Sequence, residues 1–298
     1  MAGIIEHAFK FDSDDGDSAD GLKVAAWRWS KPVPARGVLQ IAHGMGEHAL
    51  RYRDVLEPLM DAGIVIYAND HRGHGRTAPS PAQHGDFGEA GFPGLVDDMA
   101  RLTAIARAEN PGKPLVLMGH SMGSFAAQLY VLERSADIDG LVISGSAAID
   151  QLAAALPTDP DASGFSAFSG LFQPPRTPFD WLSRDEAQVD AYIADPLCGF
   201  SATPSSMGSM IGTMMRTVDP SALAQIRKNL PVYVFSGSRD PVGGPDLAFL
   251  KVFVQRYRDN GLTVATDYYP DGRHEMLNET NRAEVVENLK RWIAGIMN

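Results

Sequence analysis

The chain has 298 residues, enough for one large α/β domain with or without an insertion. Hydrophobic residues at 44% and charged residues at 21% place it among ordinary globular proteins and outside the disordered and fibrous classes. With 26 Lys and Arg against 37 Asp and Glu, a net charge of −11 disfavours nucleic acid and anionic membrane surfaces as partners.

The amino end, MAGIIEHAFKFDSDD, has no basic region followed by a long apolar run, and no run of about 18 apolar residues occurs anywhere. A cytoplasmic protein without stable membrane insertion is expected, and transient contact with lipid is compatible with that. Two β-rich runs, Ile4–Phe11 and Leu22–Trp29, flank the acidic turn cluster 11–20 and read as an antiparallel pair. The cluster lacks the glutamate of a calcium loop and reads as solvated.

The pattern then changes. Gly37–Ile41, Ile64–Ala68, Leu115–Met118, Ile138–Ile143, Val232–Phe235 and Val264–Tyr269 are short and mostly apolar, as strands covered on both faces would be. Helical segments alternate with them: Leu95–Ala106, with apolar residues at spacings of three and four, then Phe125–Glu133, Asp246–Tyr257 and Glu284–Ile296. Such alternation predicts right-handed crossovers and a doubly wound, mostly parallel sheet of about eight strands.

From Ser146 to about Ile226 the alternation fails, which divides the chain into a core of residues 1–145 and 227–298 and an insertion of residues 146–226. Inside it, Ser183-Arg184-Asp185-Glu186 has capping-box spacing, and Val189, Tyr192 and Ile193 follow on one side of the expected helix. Phe165, Phe168, Leu171 and Phe172 form one apolar stripe, and Met207, Met210, Met214 and Met215 a second. Flexible methionines suit a groove for variable apolar ligands, so Phe165, Phe168, Met207 and Met210 are candidates for the wall of such a groove. The lone cysteine, Cys198, leaves no partner for an intramolecular disulfide and reads as a small buried hydrophobe.

GHSMG (119–123) stands where the strand LVLM meets the helix SFAAQLYVLE. G-x-S-x-G alone is a weak signal, but a strand before it and a helix after it are the context of a nucleophile elbow. There Gly119 and Gly123 relieve crowding around Ser121, with His120 between, and the following helix aims its N-terminal N–H groups at developing negative charge. A serine hydroxyl needs a base to take its proton and a third group to orient that base. The loop SGSRDPVGG after one strand offers Asp240, and PDGRHEML after the next offers His274. Asp267 and Asp271 compete for the acid's place but are close to His274 along the chain, and Asp150 already lies in the insertion. The tetrahedral oxyanion would take the N–H groups of Met122 and of Met45, the latter in HGMGEH (43–48). That stretch does not present two histidines as H-E-x-x-H does, so no metal is expected. GHGRTA, in DHRGHGRTA (70–78), partly matches a dinucleotide fingerprint, but two prolines follow it in place of a helix, and it reads as a structural loop.

HGMGEH, DHRGHG, GHSMGS, SGSRDPV and GRHE occur in one order and spacing over nearly the whole chain. In this the sequence resembles α/β-hydrolases of the monoacylglycerol lipase and lysophospholipase type, also described as serine-aminopeptidase-like. The resemblance implies Ser121, Asp240 and His274 as a triad, Met45 and Met122 as the oxyanion hole, and the insertion after the sixth strand as a cap that sets substrate. DPLCGF (195–200) is similar to a D-P-L segment near the end of that cap. The expected protein is a cofactor-independent serine hydrolase of small acyl esters. A peptidase or amidase of the same fold is the first alternative, and a non-catalytic binding relative the second. A dehalogenase would need an aspartate where this chain has Ser121.

Overall fold

A computed structural model describes residues 3–13, 21–155 and 168–297. Eight strands, β1 (Ile5–Asp12), β2 (Lys23–Ser30), β3 (Gly37–Ala42), β4 (Ile64–Asn69), β5 (Leu115–His120), β6 (Gly140–Ser144), β7 (Val232–Gly237) and β8 (Val264–Tyr269), form one sheet in the order β1-β2-β4-β3-β5-β6-β7-β8. β2 runs antiparallel to both of its neighbours and every pairing from β4 to β8 is parallel. Every residue of β3, β4, β5, β6 and β7 is buried, whereas the edge strand β1 is mostly exposed, with Phe11 alone buried. This is the mostly parallel, doubly wound sheet that the apolar runs predict.

Because strand side chains alternate, the sheet feeds two cores. Leu115 and Leu117 join α2 (Gly91–Glu109), α3 (Met122–Arg134) and α8 (Ala248–Asp259) on one face. Val116 and Met118 join α1 (Glu57–Asp61) and α9 (Arg282–Ile296) on the other. Leu95, Met99 and Leu102 of α2 are fully buried, each contributing about 1.5–3 kcal/mol relative to exposure.

Between β6 and β7 the described residues form α4 (Ile149–Ala155), α5 (Glu186–Ala194), α6 (Pro204–Met214) and α7 (Pro220–Leu223), with no strand. The segment is fastened to the core by side chain to backbone bonds: the Ser206 and Ser209 hydroxyls accept from the N–H groups of Phe87 and Phe92 at 2.9 and 3.0 Å. Several local expectations need correction. The N-cap of α5 is Asp185, whose carboxylate accepts from Ala187 N; Ser183 instead donates its hydroxyl to the carbonyl of Asn278. Val189 and Tyr192 of α5 are buried, but Ile193, Leu171 and Met215 are exposed. The helix expected over Asp246–Tyr257 starts at Ala248, because Asp246 and Leu247 adopt left-handed φ of 50° and 60°. Most of the acidic cluster, together with Phe165, lies outside the described residues. Among those residues no helix is long and apolar enough to cross a membrane.

Candidate active site

Ser121 sits at the junction of β5 and α3 with φ 51° and ψ −121°, a region costing a non-glycine residue about 1–3 kcal/mol. The surroundings hold it there: Ser121 N donates to the carbonyl of Ser144 at 3.0 Å, and Ser121 O accepts from Ser124 N at 2.8 Å and Phe125 N at 3.2 Å. A methyl group at Gly119 would come 2.3 Å from Gly123 O, and one at Gly123 would come 2.1 Å from Ala42 O. Both contacts are to backbone, so only glycine fits. Met122 opens α3, and its N–H has no carbonyl partner within the helix.

Asp240 follows β7 and His274 follows β8, on adjacent loops at the end of the sheet where β5 delivers Ser121. His274 Nδ1 lies 2.9 Å from Asp240 Oδ1, and both residues are about 1% exposed. Asp240 is held in turn: Val242 N donates to Oδ1 at 3.0 Å and Ser236 Oγ to Oδ2 at 3.1 Å. Burial disfavours the imidazolium, but the charge and hydrogen bond of Asp240, with help from Glu275 and Glu47, outweigh it and hold His274 above its ordinary pKa. The His274 Nε2 atom has no hydrogen-bond partner among the described residues. Its ring lines one narrow space with Ser121, Gly44, Met45, Trp181 and Tyr192, a volume of about 10 Å³ or roughly one water. The structure thus brings Ser121 and His274 to one cavity without a direct hydrogen bond between them. His120, with its ring centroid 4.7 Å from that of His274, is pushed down to about 4 by burial and by that neighbour.

Two of the three rival carboxylates are engaged elsewhere. Asp267 accepts from Tyr233 OH at 2.7 Å, Asp150 takes the Arg256 fork at 2.7 and 2.8 Å, and Asp271 is exposed on a left-handed turn.

Met45 lies in the loop after β3, whose shape is set by neighbouring side chains. His43 accepts from His71 N through Nε2 at 2.9 Å, which leaves Nδ1–H to donate to Gly44 O at 2.7 Å. Burial holds this ring neutral, with a pKa lowered to about 3, as it does His74. His71 and His74, from DHRGHGRTA, pack against His43 with ring centroids at 4.3 Å, tilted, and 5.2 Å, edge-on. That region is therefore a support for the loop, as the sequence suggests. Glu47 Oε1 accepts from Gly44 N at 2.6 Å, and Tyr192 OH donates to Gly46 O at 2.8 Å.

A larger cavity of about 570 Å³ opens beside Asp240, lined by Leu152, Phe168, Leu171, Phe172, Pro241 and Phe249. Trp181 stands between the two spaces, its ring 4.7 Å from that of His274 and 5.1 Å from that of Phe168. Of the four residues read as a ligand wall, Phe168 lines this cavity and Phe165 lies outside the described residues. Met210 is buried in the main core, Met207 packs against it, and neither lines this cavity. Trp181, Leu182 and Glu275 were missed, since nothing at their positions signals contact with residues so distant in the chain. Cys198 lies within reach of His48 and Asp195, a trio whose donor atoms lie within 4.8 Å of one another. Burial raises the Cys198 thiol far above its ordinary value, away from the thiolate a metal would need, and His48 Nε2 already bonds Asp195 Oδ2 at 2.9 Å.

The family model described as serine aminopeptidase S33 (Hydrolase_4) matches residues 33–281. The chain belongs to this hydrolase family. Its fold is the α/β-hydrolase fold, and the protein is an enzyme of that class. Within the family it is similar to the monoacylglycerol lipase of Mycolicibacterium smegmatis, 29% identical over 283 residues that cover 92% of this chain and 93% of the relative. Human monoglyceride lipase is 26% identical over 285 residues, covering 93% and 88%. Among solved structures, a thermostable carboxyl esterase from Bacillus coagulans in complex with glycerol superposes with a TM-score of 0.86 at 28% identity, covering 100% of both chains.

Proposed function

We propose that the protein is a serine carboxylester hydrolase acting on monoacylglycerols, lysophospholipids or similar acyl esters through an acyl-enzyme. The observation that carries the reading is the 2.9 Å bond from His274 to Asp240, with the same imidazole lining the cavity of the strained Ser121. The Asp240 carboxylate keeps the proton on His274 Nδ1, so that Nε2 is the basic nitrogen. His274 takes the Ser121 proton as the hydroxyl attacks the ester carbonyl, and the N–H groups of Met45 and Met122 receive the oxyanion. His274 then protonates the leaving alcohol. A water deprotonated by the same nitrogen frees the acid and restores Ser121. The family and the names of its relatives supply the substrate class; the cavity beside Asp240 supplies room for a chain, at a volume within the usual range for ligand pockets.

Residues 146–226 act in this reading as a cap over the site. Its support is that Trp181, Leu182 and Tyr192 line the cavity of Ser121, and that Asp195 of the D-P-L segment bonds His48 of the oxyanion loop. Because the narrow space holds about one water, Trp181 and Leu182 must yield for an ester to reach Ser121. An apolar mouth of this kind suits brief contact with a lipid surface rather than insertion.

The test is a substrate panel of monoacylglycerols, lysophospholipids, p-nitrophenyl esters and aminoacyl amides, run on the parent protein and on Ser121→Ala. Ester turnover lost in the variant is expected. Equal rates in both proteins would remove the nucleophile, and aminoacyl amides turned over faster than esters would favour a peptidase.

A further inference from the structure

Two carboxylates and one guanidinium are buried together beside the proposed site. Glu47 is 2% exposed and Glu275 6%, while the Arg51 side chain is 11% exposed. Arg51 Nη1 donates to Glu47 Oε2 at 2.6 Å and to Glu275 Oε1 at 2.7 Å, and Nη2 donates to Glu275 Oε2 at 2.7 Å. Tyr52 OH donates to Glu47 Oε1 at 2.7 Å, and Asn278 Nδ2 to Glu275 Oε2 at 2.8 Å. The Tyr192 ring lies 4.8 Å from the guanidinium carbon.

The partners of this trio matter more than its size. Glu275 is the residue after His274, and its N–H donates to Leu182 O at 2.7 Å. Glu47 holds the N–H of Gly44, the residue before Met45, at 2.6 Å. A methyl group at Gly44 would lie 2.8 Å from Glu47 Oε1 and 3.1 Å from Ser121 Cβ, so the peptide before Met45 is wedged between the carboxylate and the nucleophile. One guanidinium therefore ties the loop that carries the proposed base to the loop that carries the proposed oxyanion donor.

Stability alone is a poor reason for such a trio. Burying an ion cluster often stabilises no more than apolar residues of the same shape would, and two carboxylates against one arginine leave an excess negative charge. That charge has a use beside an imidazole that must become an imidazolium. The planar fork of arginine also fixes direction as well as distance, which an ammonium cannot do.

We propose that Arg51, Glu47 and Glu275 are positioning residues, a buried clamp that sets the base loop against the oxyanion loop and places excess negative charge where the imidazolium forms. The proposal rests on the serine-hydrolase reading. Groups facing His274 are Asp240 from the loop after β7, His120 from the end of β5, Glu47 and Arg51 from the segment after β3, and Arg273 and Glu275 on its own loop. Trp181 is neutral.

The test uses the full chain with p-nitrophenyl butyrate, counting active sites with a fluorophosphonate. Glu275→Gln keeps the shape and removes one charge. Its kcat should fall about tenfold or more with KM within about twofold, since a misplacement of about 1 Å can cost up to about a hundredfold. The acid limb of kcat/KM should move to lower pH, because removing negative charge disfavours the imidazolium. Arg51→Lys keeps the charge and loses the fork, so kcat should fall while the acid limb stays. If Glu275→Gln does not fold, Glu47→Gln should give the same fall in kcat and the same shift of the limb. A folded Glu275→Gln or Glu47→Gln protein that loses only thermal stability, with kcat and acid limb unchanged, overturns the clamp and leaves the hydrolase reading standing. Failure of Ser121 to react with the fluorophosphonate in the parent protein overturns both.

Discussion

Replacing Gly123 by alanine is a sharp test of the elbow. The added methyl would lie 2.1 Å from Ala42 O, 2.5 Å from Ala42 C and 2.6 Å from His43 O, all backbone atoms at the end of β3 and the start of the loop that carries Met45. Ordinary contact begins near 3.4 Å, so α3 and the end of β3 must part by about 1.3 Å. Overpacking of that kind costs roughly 1–3 kcal/mol of stability. The same movement separates Ser121 from the Met45 N–H, and a misplacement of about 1 Å costs up to about a hundredfold in rate. Gly123→Ala should therefore lose far more kcat than stability, as read by p-nitrophenyl butyrate turnover per titrated active site and by thermal unfolding. Gly208→Ala, in α6, is the control: nothing lies within 4 Å of its added methyl, and a helix interior favours alanine by about 1 kcal/mol. It should melt no lower than the parent with unchanged turnover. A Gly123→Ala protein with parental kcat would refute the steric account of the elbow.

Other predictions follow from the same geometry. Because Asp240 raises His274 above its ordinary 6.5, and the base works only when neutral, the acid limb of kcat/KM should lie above pH 6.5. Asp240→Asn should lower kcat by about 10,000-fold and move that limb downward; an unmoved limb would remove Asp240 from the proposed role. His43 and His74, held near 3 in the fold against about 6.5 when unfolded, bind protons preferentially in the unfolded chain between those values. Their folded values are depressed, so stability falls on acidification, by about 1.4 kcal/mol per pH unit for each group. The urea midpoint should accordingly drop from about pH 7 to about pH 5, and a midpoint that holds or rises would contradict the neutral histidine cluster. Cys198, with its thiol raised by burial, should alkylate only slowly in the native protein and readily in urea, which mass spectrometry of iodoacetamide-treated samples would settle.

Strands buried on both faces, such as β3 to β7, announce themselves as short apolar runs, and the sheet followed from them. The elbow was also legible, since a glycine two residues to either side of a serine is informative once a strand precedes it and a helix follows. Asp240 and His274 could be placed because each follows a recognisable strand, and chain order did the rest. The insertion was harder to read. Helix α6 contains two glycines and four Ser or Thr residues, which weaken any propensity signal, and it is held by packing against α2 and by Ser206 and Ser209. A helical stripe does not say which surface it meets, and the α6 methionines that suit a ligand wall instead put Met210 and Met214 into the main core. At α5 the capping-box spacing points to Ser183, whereas the cap is Asp185, because the Ser183 hydroxyl donates to Asn278 O and the Asp185 carboxylate accepts from Ala187 N. The Arg51–Glu275 pair spans 224 positions, and no periodicity encodes a contact of that range.

The central claim is that one buried imidazole activates one strained serine. Incubating the protein with a fluorophosphonate and mapping the adduct by peptide mass spectrometry tests it most directly. The account predicts a single phosphonyl group on Ser121, formed at a rate that falls by orders of magnitude in His274→Ala. Modification of a different residue, or undiminished labelling of Ser121 in the His274→Ala protein, would contradict it.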